Sequence, residues 1–202
     1  MRRVALVGLA LAAVVAGGLF VLDRLMPSWY AARLPGWYAR RVYPLADAAD
    51  IRAAATKYRL DPALVAAIIY EESRFRPDTV SHSGAVGLMQ VLPSTAEEIA
   101  RKTGGERFVL GDLSDPRINI LYGSNYVRYL LDHFHGSQVM AVAAYNAGLA
   151  AVDGWAARTQ HSGVAFTLAD VAFAETRDYV RDVQRLQQIY RRAYDRELGR
   201  AP

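Results

Sequence analysis

The sequence predicts an all-α fold, and three observations carry that expectation. Apolar residues recur three and four positions apart in several segments, the spacing of a buried helical face. Helix-start signals stand ahead of those segments: Asp61-Pro62 and Asp115-Pro116 each pair a capping side chain with a proline suited to the first helical position, and Ser94 to Glu97 forms a capping box. No segment alternates apolar and polar residues for more than a few positions, which leaves room for at most a short hairpin between Arg76 and Val91.

The chain opens with Arg2 and Arg3, followed by uncharged residues from Val4 to Leu22 and then Asp23 and Arg24. At 1.5 Å per residue that run is long enough to cross about 30 Å of hydrocarbon. Residues 1–24 therefore read as one N-terminal transmembrane helix, a signal anchor. The rival is a cleaved signal peptide, but Phe20, Val21 and Leu22 make a poor cleavage site. Arginines ahead of the run put the N-terminus in the cytoplasm. The expected location is the cytoplasmic membrane, single-pass, with the rest of the chain on the periplasmic or extracytoplasmic side. Residues 25–45 read as a membrane-proximal connector, with Trp29, Tyr30, Trp37 and Tyr38 beside Arg33, Arg40 and Arg41. The same aromatics could instead pack on the folded domain.

Residues 46–197 read as that domain. The spacing predicts a first helix from Ala46 to Tyr58 and a second from Pro62 to about Arg74, with Leu64, Val65, Ile68 and Ile69 as one buried stripe. A third follows Pro93 to about Lys102, where Gly104 and Gly105 stop it. A longer one starts at Pro116 and carries Ile118, Leu121, Tyr122, Tyr126, Tyr129 and Leu130 before Gly136. Ser137 to Asn146 makes another, broken by Gly148. After a loop from Gln160 to Thr167, a final helix is expected from about Glu175 to Glu197, with Tyr179, Val183, Leu186 and Tyr190 at helical spacing.

Composition narrows the function classes. There is no cysteine, which excludes a disulfide framework, a thiolate metal site and a lipid anchor on an N-terminal cysteine. The net charge of +4 is spread among 20 acidic residues, with no basic run carrying interleaved aromatics, so no nucleic acid partner is expected. A modest positive charge suits anionic lipid or an acidic wall polymer better. His82, His133, His135 and His161 lack metal-ligand spacing, so no metal and no cofactor are expected. Gly84 and Gly87 have no Lys-Ser/Thr after them and no strand before them, which argues against a nucleotide loop; tight backbone turns are the better reading.

Glu72 is the chemical anomaly. On a wheel of about 100° per residue it falls near the centre of the stripe formed by Leu64, Val65, Ile68 and Ile69, with Glu71 about a quarter-turn away. A carboxyl on an apolar face loses hydration, holds its proton to higher pH and suits a general acid. The alternative is a helix-end carboxylate partnered by Arg74 or Arg76. Glycosidases usually need a second carboxylate, and spacing alone does not identify one.

Four segments then agree with one family. Glu72-Ser73 followed by Phe75, Gly84 to Gln90 (GAVGLMQ), Ala144 to Gly148 (AYNAG) and Phe173 to Val180 (FAETRDYV) resemble, in order and spacing, the motifs of the soluble lytic transglycosylase (SLT) domain. The resemblance covers about Ile51 to Tyr190. It implies a lysozyme-like helical domain with a glycan groove, related to goose-type lysozyme, acting on peptidoglycan glycan strands. It also implies non-hydrolytic cleavage between N-acetylmuramic acid (MurNAc) and N-acetylglucosamine (GlcNAc), leaving 1,6-anhydro-muramoyl ends. One carboxyl, at Glu72, then acts first as acid and later as base. The resemblance further places Ser73, Ser81, Gln90, Tyr145, Asn146 and Glu175 in substrate binding. Leu92 stands where the family often has Met. Two other readings stay open: a hydrolytic muramidase in which Glu71 activates water, and a non-catalytic peptidoglycan-binding protein.

Overall fold

A computed structural model describes residues 34–103, 110–160 and 165–199. Among them the chain runs α1 (Gly36–Val42), α2 (Ala48–Tyr58), α3 (Pro62–Ser73), α4 (Pro93–Thr103), α5 (Pro116–His133), α6 (Gln138–Ala147), α7 (Leu149–Gln160), α8 (Ala174–Ala193) and α9 (Asp195–Leu198). Short 3-10 turns lie at Leu110–Ser114 and Leu168–Asp170. No strand forms among the described residues; the loop after α3 holds only isolated antiparallel bridges, Val80 with Val86 and Val86 with Val91. The expected hairpin is thus reduced to three paired positions. No helix of the described residues is long and apolar enough to cross a membrane, and the run Val4 to Leu22 lies outside them, as do Trp29, Tyr30, Arg33 and His161.

The most apolar helix is central. Every residue of α3 from Pro62 to Tyr70 is buried, so the one-sided stripe expected from spacing is wider than the spacing suggested. Its small residues, Ala63, Ala66 and Ala67, let neighbours close on the faces that Leu64, Val65, Ile68 and Ile69 leave. Each of those larger side chains contributes about 1.5–3 kcal/mol by leaving water. The helix starts where Asp61 accepts a hydrogen bond from Ala63 N–H at 2.9 Å and Pro62 fills the first position. It stops because Arg74 and Phe75 both turn left-handed, at φ 55° and 59°.

The most extensive packing partner of α3 is α8, which turns Thr176, Tyr179, Val180, Val183, Leu186, Gln187 and Tyr190 inward. Arg185 is buried with them and donates to the Tyr43 hydroxyl at 3.0 Å. The far end of α8 receives α1: the hydroxyls of Tyr70, Tyr190 and Tyr194 donate to the carbonyls of Val42, Pro44 and Tyr43 at 3.2, 3.0 and 2.9 Å. Of the expected connector, Tyr38 and Tyr43 thus pack into the body, while Trp37 is 73% exposed.

Several boundaries differ from those the sequence predicts. The first helix begins at Ala48, because Asp47 is left-handed at φ 51°. The last helix breaks at Tyr194 before a final turn, so α8 and α9 replace one continuous helix. Two helices, α1 and α7, were not expected. Gly148, at φ 88°, does end α6, but a single residue suffices for the break and α7 starts immediately after it. Pro35 likewise precedes a helix, as its fixed φ permits.

The loop between α3 and α4 is held by α5. Asn119 is fully buried; its amide nitrogen donates to Val86 O at 2.8 Å and Leu113 O at 2.9 Å, and its oxygen accepts from Met89 N–H at 2.8 Å. Gly87 is obligatory there on two counts. Its φ is 81°, and a Cβ would lie 2.3 Å from the Asn119 amide nitrogen.

Candidate active site

The last turn of α3 delivers Glu72 to the place where α8 crosses it. The hydroxyl of Tyr179, one turn into α8, donates to Glu72 Oε1 at 2.6 Å. Burial pushes the Glu72 carboxyl up to about 7; the Tyr179 hydrogen bond opposes that shift and the neighbouring charge of Glu71 adds to it. A carboxyl with that affinity for its proton is divided between acid and base at neutral pH. The carboxyl is withdrawn from water, and Arg74 is engaged elsewhere, over the Tyr70 ring at 4.3 Å. Arg76 donates to Ser73 O at 3.2 Å.

Tyr145 comes from α6. Its hydroxyl donates to Met89 O at 2.7 Å, and burial first, with the Glu72 charge second, holds the phenol well above its ordinary value. Tyr179 is held up by the same two causes in the same order. Both phenols keep their protons and donate, Tyr179 to the Glu72 carboxyl and Tyr145 to the Met89 carbonyl.

A cleft of about 650 Å³, including space open to solvent, reaches this centre through Tyr145 and is lined by Gln90, Leu92, Thr95, Tyr126, Tyr145 and Asn146 among others. Gln90 takes a left-handed backbone, φ 47°, and its amide donates to Thr79 O and Gly87 O at 2.9 Å each, so it braces the loop while facing the cleft. Asn146 accepts from Thr176 Oγ1 at 2.7 Å, joining the end of α6 to the start of α8. Leu92 is 39% exposed, an apolar patch on the cleft wall.

The remaining expected residues sit differently. Ser73 is buried at 1% exposure and its hydroxyl donates to Ile69 O at 3.1 Å, within its own helix. Ser81 accepts from Ala85 N–H at 3.0 Å and lies 2.9 Å from the Ser83 hydroxyl, shaping the turn at Gly84. Glu175 is exposed in the first turn of α8, beside Thr176. The structure thus gathers Gln90, Tyr145 and Asn146 on one cleft, sets Tyr145 close enough to Glu72 to feel its charge, and turns Ser73 inward.

Two residues of the site carried no role in the sequence reading. Tyr179 stood out as one position of a buried stripe and as part of the FAETRDYV segment, with no role of its own; its hydroxyl is what meets Glu72. Tyr126 was read as part of a helical repeat, and its ring stands 5.6 Å from that of Tyr145. A hydroxyl placed in an otherwise apolar helix face was the available signal for both, since a buried tyrosine hydroxyl generally finds a partner.

Comparison with known proteins points one way. Residues 50–165 match the family described as the transglycosylase SLT domain. The soluble lytic murein transglycosylase of Escherichia coli (strain K12) is 35% identical over 128 residues, 62% of this chain and 20% of that protein. The membrane-bound lytic murein transglycosylase E of Buchnera aphidicola subsp. Acyrthosiphon pisum (strain APS) is 37% identical over 109 residues, 53% of this chain and 49% of the relative. The crystal structure of the 70 kDa soluble lytic transglycosylase from Escherichia coli superposes with a TM-score of 0.71 at 28% identity, covering 82% of this chain and 28% of that one. The chain spans about a fifth of the first relative's length and half of the second's.

Proposed function

The chain belongs to the transglycosylase SLT domain family, and on that premise we propose that it is a peptidoglycan lytic transglycosylase with Glu72 as its single acid and base. The observation that carries the reading is a protonatable carboxyl, pushed up to about 7, accepting a hydrogen bond from Tyr179 and near enough to act on Tyr145, which lines an open cleft. As acid, Glu72 gives its proton to the oxygen leaving with GlcNAc while the muramoyl acetamido group shields the anomeric carbon. As base, the resulting carboxylate takes the proton of the same sugar's C6 hydroxyl as that oxygen closes on the anomeric carbon. One bond breaks, one forms, the proton returns to Glu72 and no water is consumed, so no second carboxylate is needed.

Within this reading Gln90 and Asn146 bind the sugar on the cleft wall, Tyr145 covers the carboxyl, and Ser81 shapes the rim. Glu175 closes the far side at the start of α8. Ser73 supports the turn that carries Glu72, since its hydroxyl is committed to Ile69 O. Tyr179 is a positioning residue acting through Glu72.

The same proposal extends to membrane attachment. Residues 1–24 would form a single transmembrane anchor, residues 25–45 lead out of the bilayer, and residues 46–197 act on the wall from the extracytoplasmic side. The support is the apolar length of Val4 to Leu22 behind Arg2 and Arg3, together with the membrane-bound designation of some relatives.

Product analysis tests the chemistry. Purified peptidoglycan digested with the protein and examined by mass spectrometry should yield muramoyl ends lighter by one water than reducing ends. Reducing ends would instead assign a hydrolytic muramidase, and intact glycan a binding protein.

A further inference from the structure

The cleft does not end at Tyr145. Along α5, Tyr126, Tyr129 and His133 fall at steps of three and four and so share one face. Their rings follow one another outward from the cleft: Tyr145 to Tyr126 at 5.6 Å between centroids, Tyr126 to Tyr129 at 6.2 Å with planes 18° apart, Tyr129 to His133 at 6.3 Å. The first two rings line the cleft and the last two are exposed, Tyr129 at 37%. At the far end His133 Nε2 lies 2.8 Å from Asp153 Oδ1 on α7, which fixes the imidazole.

The geometry points to an extended glycan-binding track on α5, from Tyr126 through Tyr129 to His133, that holds the sugar strand beyond the residues inside the cleft. This rests on the transglycosylase reading of the same site. From residue 126 to 133 the helix rises about 10 Å, and each ring-to-ring step is comparable to one sugar residue of a linear polysaccharide. Pyranose rings present apolar C–H faces bordered by hydroxyls. Aromatic rings with polar edges are the side chains that match both features. A peptide or lipid partner would call for a continuous apolar groove or a basic rim; here polar-edged rings run in single file and end at the His133–Asp153 pair. The occupant is therefore the continuing GlcNAc-MurNAc strand, and its consequence is a preference for long strands over short fragments.

The test compares the full-length protein with Tyr129→Ala and Tyr129→Ala/His133→Ala variants on long uncrosslinked glycan strands and on a tetrasaccharide of the same repeat. KM for long strands should rise about 5- to 10-fold, the scale of one or two aromatic contacts, while kcat on them holds within about twofold. The preference for long strands over the tetrasaccharide should fall by the same factor, and Tyr129→Phe, which keeps the ring, should restore it. An unchanged KM on long strands overturns the track, as does an equal rise on both lengths. Binding of long strands in a Glu72→Gln background separates the two readings. Weakened binding on loss of Tyr129, in a protein whose parent cuts nothing, leaves the track standing and removes the transglycosylase. Normal cleavage of long strands by both alanine variants does the reverse.

Discussion

The two ends of α3 each carry an acidic residue and treat it in opposite ways. At the N-terminal end Asp61 is surrounded by donors: the Ala63 N–H at 2.9 Å, the Gln187 amide at 2.6 Å and the Arg191 guanidinium. It sits where the helix dipole welcomes negative charge. At the C-terminal end, where the dipole opposes it, Glu72 is withdrawn from water, with a second carboxylate near it and the Tyr179 hydroxyl as its donor. Eleven positions along one helix thus separate a carboxylate surrounded by donors from a carboxyl that holds its proton to about pH 7. A residue type says little about role until its donors are counted.

Abolishing the reactive end should give the largest effect. Glu72→Gln should still bind glycan and cut it at least 100-fold slower, the scale of general acid-base catalysis. Calorimetry should show the same variant more stable than the parent, and the sign follows from linkage. The folded carboxyl holds its proton up to about 7 against an ordinary value of 4.5. Burial therefore costs nothing below about pH 4.5, grows more costly as pH rises to 7, and levels off above it. The Gln variant should gain most at pH 8, with an upper bound between about 3 and 4 kcal/mol, and almost nothing at pH 4. A gain independent of pH would remove the claim that Glu72 is held protonated.

Breaking the anchoring end should cost stability without altering the chemistry. Asp61→Ala loses a helix cap and leaves Gln187 and Arg191 facing a gap, about 2 kcal/mol in denaturant unfolding. Its pH-rate profile should overlay that of the parent once both are folded. A displaced profile would mean that the two ends of α3 are coupled.

Tyr179→Phe sharpens the comparison with a smaller effect. The hydroxyl opposes the upward shift of Glu72, so its removal should move the alkaline limb of the kcat/KM profile to higher pH, while a less well held carboxyl lowers the maximum about tenfold. A lowered maximum with an unmoved limb would make Tyr179 a packing residue only.

Much of this was legible in the sequence because it is local. Asp61-Pro62 and Asp115-Pro116 announce α3 and α5, and both aspartates cap through their side chains as expected. Glu72 was found by its place on an apolar helix face, which needs only a period. What escaped the sequence depends on distant partners. The Tyr179 hydroxyl meets a carboxyl 107 positions away, and Asn119 reaches back 30 and 33 positions to Met89 and Val86. Neither periodicity nor composition encodes such pairings. The helix α7 escaped for the opposite reason: its start follows Gly148 so closely that no helix was expected between that break and the loop at Gln160.

Asn119 gives the loop between α3 and α4 a borrowed stiffness. Three hydrogen bonds from one side chain transfer the order of α5 to backbone that has no strand or helix of its own. The shape of that loop is therefore set from behind, by a residue no ligand could touch, and drift at position 119 would deform the cleft while leaving every residue that lines it unchanged.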